Sequence, residues 1–404
     1  MKRTETKRVT RRGFLAAAAG VGAGLALAGC TSAAQAPAAQ GKSEAETKSQ
    51  AAPAQSGQRF TWKMQSAWTT GDFHFVNAKD FITMVDEMSN GRLKIEGLGA
   101  GSVVPALEVL DAVHKGLIDA AHSWPGYWYG KHPAATLFGS IPGGPYGMNS
   151  EDFLGWMYLG GGNELYNELL QKELNMNVVA FPAFGETPEP LGWFPREIKN
   201  LQDFKGLKFR AAGMSAEVFK EFGMSVVTLA GGEIVPSLER KTIDAAEYSD
   251  PTSDMSVGFQ DVVKYYHLPG IHQPTGIIEI LINRQKWEEL PADLQAIVRY
   301  AGIATTLLYT VKMLDRNSQD LKTLVEKHGV IVVPSPRDIL QEVLKAWDKV
   351  SARYAQENAF FKKVLDSQRA WAERIVPYRR IGHPPYELAA EHYWGNNNPY
   401  LKRG

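Results

Sequence analysis

Two α/β lobes, each a mainly parallel sheet covered by helices, with one long helix spanning both, are what this sequence predicts. Three observations carry that expectation. About 345 residues of globular composition follow position 58, too many for one ordinary core. Short strand-like apolar runs alternate with amphipathic helical runs over most of that length. Beyond Pro291 an apolar repeat at helical spacing continues to Gly329.

The first thirty residues read as a signal. A basic start (Lys2, Arg3, Lys7, Arg8, Arg11, Arg12) precedes an Ala/Gly-rich run from Phe14 to Ala28. That run is too short and too rich in glycine to span a bilayer stably. Thr10-Arg11-Arg12-Gly13-Phe14-Leu15 resembles the twin-arginine (Tat) export signature, and Leu27-Ala28-Gly29-Cys30 resembles a bacterial lipobox. Cys30 is the only cysteine, so no internal disulfide can form, and a lone thiol ending a signal run suits lipidation. The expectation is an extracytoplasmic (periplasmic) lipoprotein held to the membrane by its lipid anchor. Residues 31–58, composed of Ala, Gln, Ser, Pro, Lys and Glu without an aromatic residue, read as a disordered tether. The whole chain is formally neutral; losing six basic residues and Glu5 with the signal leaves about five excess negative charges. A mildly acidic chain without a basic run is a poor nucleic-acid partner.

The remaining elements follow in order. Arg59 to Ser66 reads as a strand, Asn77 to Ser89 as a helix stopped at Asn90-Gly91, and Arg92 to Leu98 as an alternating strand. Pro105 to Lys115 is a helix ending at Gly116, and Ala120 to Ser123 a strand. The rhythm resumes with strands at Met176–Phe184, Leu207–Ala211, Met224–Leu229 and Ala245–Tyr248. Helices at Ala216–Phe222 and Glu233–Arg240 separate the last three of these. Pro291 opens the long helix, where its missing N–H costs nothing. Leu294, Ile297, Val298, Ala301, Leu308, Val311 and Leu324 continue its apolar face over about 38 residues, roughly 57 Å. Helices at Ile339–Ala355 and Phe360–Val376 follow, and the aromatic, Asn-rich tail from Pro384 is unassigned. The resulting division is a signal at 1–30, a tether at 31–58, a first lobe at 59–183 plus about 274–290, a second lobe at 184–273, the spanning helix at 291–329 and a C-terminal helical segment at 330–404.

Common enzyme signatures are missing: there is no HExxH, CxxC, GxSxG or P-loop. The glycine clusters at 97–101 and 160–162 read as turns, and the histidines as surface or core residues without metal-ligand spacing. Three segments are distinctive: Val113-His114-Lys115-Gly116-Leu117-Ile118-Asp119-Ala120, Gly206-Leu207-Lys208-Phe209-Arg210, and the run from Gly231 to Tyr248. With Ser89-Asn90-Gly91-Arg92-Leu93, they resemble the solute-binding subunits of TRAP (tripartite ATP-independent periplasmic) transporters, in family order from Phe60 to at least Val376. Gly192-Trp193-Phe194, Glu247-Tyr248 and the run Tyr265 to Gly270 are similar to the branch that binds 2-oxo acids or lactate with a cation.

The resemblance implies a periplasmic-binding-protein-like fold that closes on a hinge around a small organic monocarboxylate and delivers it to TRAP membrane subunits. It implies that Arg210 forks the substrate carboxylate, since a guanidinium offers two parallel donors and stays charged when desolvated. It also implies a cation held by Glu247, by the backbone carbonyl of Tyr248, and by Glu189 and Gln273. These last two exchange the Gln and Glu of relatives while keeping the ligand charge. Glu189 and Tyr248 would also border the substrate, and Tyr127, in the aromatic run with Trp124 and Tyr129, would offer it a hydroxyl. Oxygen ligands suit Na⁺ or Ca²⁺, and two protein carboxylates plus the substrate's own rank Ca²⁺ ahead. Asp250 and Asp254 lie just downstream as further acids. A homodimer through the C-terminal helix is a further implication. The residues by themselves leave open an exported hydrolase or lyase using Glu189 and Glu247 as an acid/base pair, and a purely structural lipoprotein.

Overall fold

The computed structural model describes residues 57–395 and 398–400. Cys30, the 1–30 signal and the tether as far as position 56 lie outside the described residues. Eleven strands within them build two sheets. The first has the order β2 (Leu93–Leu98), β1 (Phe60–Ser66), β3 (Ala120–Ser123), β10 (Ile277–Asn283), β4 (Val178–Gly185). The second has the order β11 (Ile331–Pro334), β9 (Tyr265–Leu268), β5 (Gly192–Phe194), β8 (Ala245–Ala246), β6 (Lys208–Arg210), β7 (Ser225–Val227).

Each sheet is parallel except for one strand. β10 runs antiparallel to β3 and β4, and β5 runs antiparallel to β8 and β9. This sharpens the expectation of mainly parallel sheets and has a simple cause. A strand that leaves one sheet at its C-terminal edge enters the facing sheet from that sheet's C-terminal edge, and so runs against its neighbours. The two crossovers, 186–191 and 269–276, lie side by side. Glu186 N donates to Gly276 O at 3.0 Å, Glu189 N to Gln273 O at 3.1 Å and Gly270 N to Glu189 O at 3.0 Å. Glycine is required where they touch: a Cβ on Gly270 would come within 2.4 Å of Glu189 O, and one on Gly276 within 1.4 Å of Gly139 O.

Local starts and stops mostly follow the residues. Asn90 (φ 52°) and Gly91 (φ 71°) end the first helix in the left-handed region. That helix begins at Phe73, four residues before the expected start, because Asp72 caps it by accepting from His74 N at 2.9 Å. The predicted 105–115 helix is a 3₁₀ turn at Ala106–Glu108 running into Val109–His114. The long helix spans Ala292–Glu326, 35 residues and about 52 Å, with Pro291 just before it. It packs on β4 and on helix Phe73–Met88 of the first lobe, and on helix Pro251–Val257 of the second. Thr305 Oγ1 donates to Ala183 O (2.8 Å) and Thr252 N to Asn317 Oδ1 (2.9 Å) along the way.

The segment from 330 is not purely helical: Ile331–Pro334 pairs with β9 as an edge strand of the second sheet. Helix Arg337–Glu357 then buries Ile339 in the second lobe's apolar core. It reaches Glu217 through Arg353 (3.2 Å) and Tyr129 through Tyr354 (2.5 Å, hydroxyl to hydroxyl). Helix Ala359–Gly382 returns to the first lobe, where Arg379 pairs with Asp152 at 2.6 Å. The unassigned tail forms a helix, Tyr386–Trp394, with no buried residue. No helix among the described residues is long and apolar enough to cross a membrane.

Candidate functional site

The loops after the C-terminal ends of the strands converge from both sheets, where open α/β sheets form their pockets. β1 delivers Trp68, β3 delivers Trp124 and Tyr127, and β4 delivers Glu186 and Glu189. β6 ends in Arg210, β8 leads into Glu247 and Tyr248, and the return crossover carries His272 and Gln273. Most of these side chains line one small cleft, in which the centre of a water-sized sphere has about 20 Å³ to move.

Pairing of β6 with β8 sets Arg210 beside Ala246, so Glu247 follows directly across from the guanidinium. Nη1 donates to Glu247 Oε1 and to Glu247 O, both at 2.9 Å, and Nε and Nη2 both donate to Leu229 O at 3.1 and 3.0 Å. Four of the five N–H groups are thus used within the protein, leaving one on Nη2. The free two-pronged fork expected of Arg210 is therefore not presented. A fully buried guanidinium must satisfy itself on the nearest carbonyls and carboxylate.

Around this pair lie polar atoms without partners. Glu247 Oε1 also accepts from Ala212 N at 2.9 Å, but its Oε2 is buried and unpaired. Glu189 Oε1 accepts from Gln273 Nε2 at 3.1 Å, while Glu189 Oε2 and Gln273 Oε1 are unpaired. Both ring nitrogens of His272 are unpaired, and its Nε2 lies 3.4 Å from Glu189 Oε2 and 3.9 Å from Glu247 Oε2. Glu186 Oε2 is unpaired as well. Native interiors rarely leave so many buried polar atoms together without a partner. Glu189, Glu247 and His272 place ligand atoms within 4.8 Å of one another, close enough for one cation to bridge them.

The charges bear this out. Burial, then the neighbouring charge of Glu247, pushes the pKa of Glu189 well above the carboxylate range, and burial does the same to Glu186. For Glu247 burial is outweighed by Arg210 and His272, which hold it below its ordinary value. A cation beside these oxygens would favour the charged form of Glu189 and Glu186 and leave Glu247 ionised.

The remaining expected residues divide. Tyr127 borders the cleft, with its ring edge-on to Trp124 at 5.3 Å, and its hydroxyl makes no hydrogen bond among the described residues. Tyr129 turns away to Tyr354. Tyr248 walls the cleft with its ring 5.7 Å from the Arg210 guanidinium, and its hydroxyl donates to Asp72 of the first lobe. Asp250 and Asp254 are buried, not solvated, and their oxygens are engaged within the protein. Asp250 caps helix Pro251–Val257 and accepts from Thr187 Oγ1 at 2.9 Å. Asp254 accepts from Trp193 Nε1 and Tyr266 Oη, both at 2.8 Å, and from Ser249 N at 3.1 Å.

Sequence reasoning missed Glu186, His272, Asp72 and His74. Glu186 had a usable signal, since it directly follows a strand ending at the pocket edge. His272 had one in adjoining Gln273, but its spacing to Glu189 and Glu247 is far from any metal-ligand motif.

Comparison with known proteins agrees with this geometry. Residues 64–358 match the family described as bacterial extracellular solute-binding protein, family 7. The chain is 32% identical over 342 residues to a monocarboxylate 2-oxoacid-binding periplasmic protein of Nostoc sp., covering 84% of this chain and 92% of that protein. A TRAP periplasmic solute binding protein from Pseudoalteromonas atlantica, solved with sodium and pyruvate, superposes with a TM-score of 0.75 at 29% identity, covering 83% of this chain and 100% of that one. Its counterpart from Colwellia psychrerythraea, solved with calcium and pyruvate, gives 0.74 at 28% identity, with the same coverage. These relatives are receptors, and they give no support to a hydrolase or lyase built on Glu189 and Glu247. The chain belongs to the bacterial extracellular solute-binding proteins of family 7, the solute receptors of TRAP transporters.

Proposed function

We propose that this receptor captures a small 2-oxo or 2-hydroxy monocarboxylate, of pyruvate or lactate size, together with one Ca²⁺ or Na⁺, and delivers it to TRAP membrane subunits. The observation that carries the reading is the set of unpaired buried atoms facing one another beside Arg210: Glu189 Oε2, Glu247 Oε2, Gln273 Oε1 and the His272 ring. Glu189, Glu247 and Gln273, with the Tyr248 carbonyl, would hold the cation; such a cation supplies positive charge and coordination to an acid's oxygens. Arg210 supplies its remaining Nη2–H to the carboxylate, and Tyr127 a hydroxyl. Two relatives solved with pyruvate and a cation support the same reading.

Delivery depends on closure. The first lobe supplies Trp68, Trp124 and Tyr127 and the second supplies Arg210 and Glu247, so a ligand touching both favours the closed state. The Tat-like and lipobox-like residues support export and lipid attachment at Cys30. Exposed Ile381 (86%) and Trp394 (80%) on the terminal helices support a homodimer. Mass spectrometry of membrane-extracted protein tests the lipid, and light scattering tests the dimer.

The main test is the melting temperature of purified protein with pyruvate, lactate and longer 2-oxo acids, each with Ca²⁺ or Na⁺. A rise with a short acid that needs a cation and leaves the acid chemically unchanged is the expected result. Turnover of the acid, or no rise with any acid and cation, overturns the reading.

A further inference from the structure

We propose that Glu186 sets the ion preference of this cleft, making it a divalent-cation site that takes Ca²⁺ in strong preference to Na⁺. This rests on the reading of the cleft as a joint cation and carboxylate site, and names a determinant outside the expected ligand set of Glu247, Tyr248, Glu189 and Gln273.

Glu186 is the first residue after β4 and is tied to the opposite crossover through its N–H on Gly276 O at 3.0 Å. Its side chain is only 7% exposed and lines the same cleft as Glu189, Arg210, Glu247 and Gln273. Oε2 has no partner among the described residues, and a Cβ on Gly276 would stand 2.3 Å from it. This oxygen therefore packs close against the Gly276 backbone, at the return crossover, where the Gly139 carbonyl already requires glycine. His272, fully buried and without a hydrogen-bond partner at either ring nitrogen, sets its Nε2 3.4 Å from Glu189 Oε2 and 3.9 Å from Glu247 Oε2, beside the same cleft.

Charge counting then decides between the ions. Glu186, Glu189 and Glu247 carry three negative charges when ionised, and Arg210 carries the one buried guanidinium that faces them. Asp72, Asp250 and Asp254 lie nearby, but their oxygens are engaged by Tyr248, Ser253, Thr187, Trp193 and Tyr266. With all three ionised, as around a bound cation, the cleft presents two net negative charges. One divalent ion cancels them; Na⁺ leaves one. A monocarboxylate adds one more in either case, so the loaded site ends at minus one with Ca²⁺ and minus two with Na⁺. Uncompensated charge is expensive where water is excluded. Without Glu186 the count falls by one, and the loaded site is neutral with Ca²⁺ and minus one with Na⁺. The penalty on the monovalent ion is then smaller. Oxygen atoms dominate the donors, which suits Ca²⁺.

The test strips the purified full-length protein with a chelator and titrates it with CaCl₂ or NaCl at fixed pyruvate. Melting temperature and equilibrium dialysis of the cation are the readouts. Wild type should respond to Ca²⁺ at concentrations on the order of a thousandfold below those needed for Na⁺. Glu186→Gln should reduce that preference at least about tenfold, and Glu186→Asp should keep it. Glu186→Ala supplies the same reading if the amide variant fails to fold. An unchanged preference in the uncharged variants, or a wild type that responds equally to both ions, overturns the proposal while the receptor reading stands. A folded wild type that responds to no cation with any acid overturns the receptor reading and this inference with it.

Discussion

Glu186, Glu189 and Glu247 each bury an oxygen without a hydrogen-bond partner, whereas Asp72, Asp250 and Asp254, buried behind residues of the same cleft, have theirs engaged. Both groups are buried acids, and only their satisfaction differs. The aspartates work for the fold. Asp72 caps a first-lobe helix and meets Tyr248 of the second lobe, Asp250 caps another helix, and Asp254 ties Trp193, Tyr266 and Ser249 together. Glu189 and Glu247 have donors on one oxygen only, and all three glutamates line one cleft. A buried acid with its acceptors filled is structure; one with an open acceptor beside other open acceptors is a site awaiting a cation.

The sharpest way to break this contrast is Arg210→Met. It strands Glu247 without its buried partner and should lower unfolding free energy by about 3–5 kcal/mol. It should also abolish the thermal response to pyruvate and cation; a variant with wild-type melting and response would erase the distinction. Next is Asp254→Ala, which orphans the Trp193, Tyr266 and Ser249 donors. Chemical denaturation should register a loss of about 2–3 kcal/mol with the Ca²⁺ over Na⁺ preference intact. A changed preference would place Asp254 in the site after all.

Tyr248→Phe removes one hydrogen bond between the lobes and keeps the wall of the cleft. Calorimetric affinity for the acid should weaken about five- to tenfold, equivalent to about 1 kcal/mol. Unaltered affinity would show that this contact plays no part in closure. The last effect is in pH. Burial, partly offset by Trp193 and Tyr266, raises Asp254 from 3.8 to about 8. The folded protein thus keeps a proton that the unfolded chain has released. Its contribution is full below about pH 4 and is lost as pH rises toward 8. His74, lowered by burial from 6.5 to about 4, slopes the other way but is spent by pH 6.5. Between pH 6.5 and 8 the stability of Asp254→Asn should therefore fall less than that of wild type, and parallel curves would contradict the assignment.

Much of the fold was legible because its signals are local. Asn90-Gly91 ends a helix, and alternation in β1 buries Trp62 and Met64. The apolar repeat past Pro291 became the spanning helix, though Pro291 stands just outside it. Arg210 and Glu247 were each legible through family resemblance, one as a substrate fork and the other as a cation ligand, and the structure pairs them at 2.9 Å. Glu186 and His272 were not. Their partners are long-range, and nothing within a few residues of either distinguishes a ligand from a core side chain.

By itself the sequence determined seven of the eleven described strands, the two-lobed class and most of the residues able to carry the chemistry, but not β5, β9, β10 or β11. These depend on hydrophobic period, turn residues and side-chain type, which are properties of neighbours along the chain. Tertiary structure alone decided that β5 and β10 run against their sheets, that the two crossovers lie side by side, and that Arg210 spends four N–H groups on Leu229 and Glu247. It also decided which buried acids are satisfied and which face open space. Hydrogen bonds between residues tens of positions apart set that outcome, and only the folded arrangement of two sheets around one cleft brings such residues within reach.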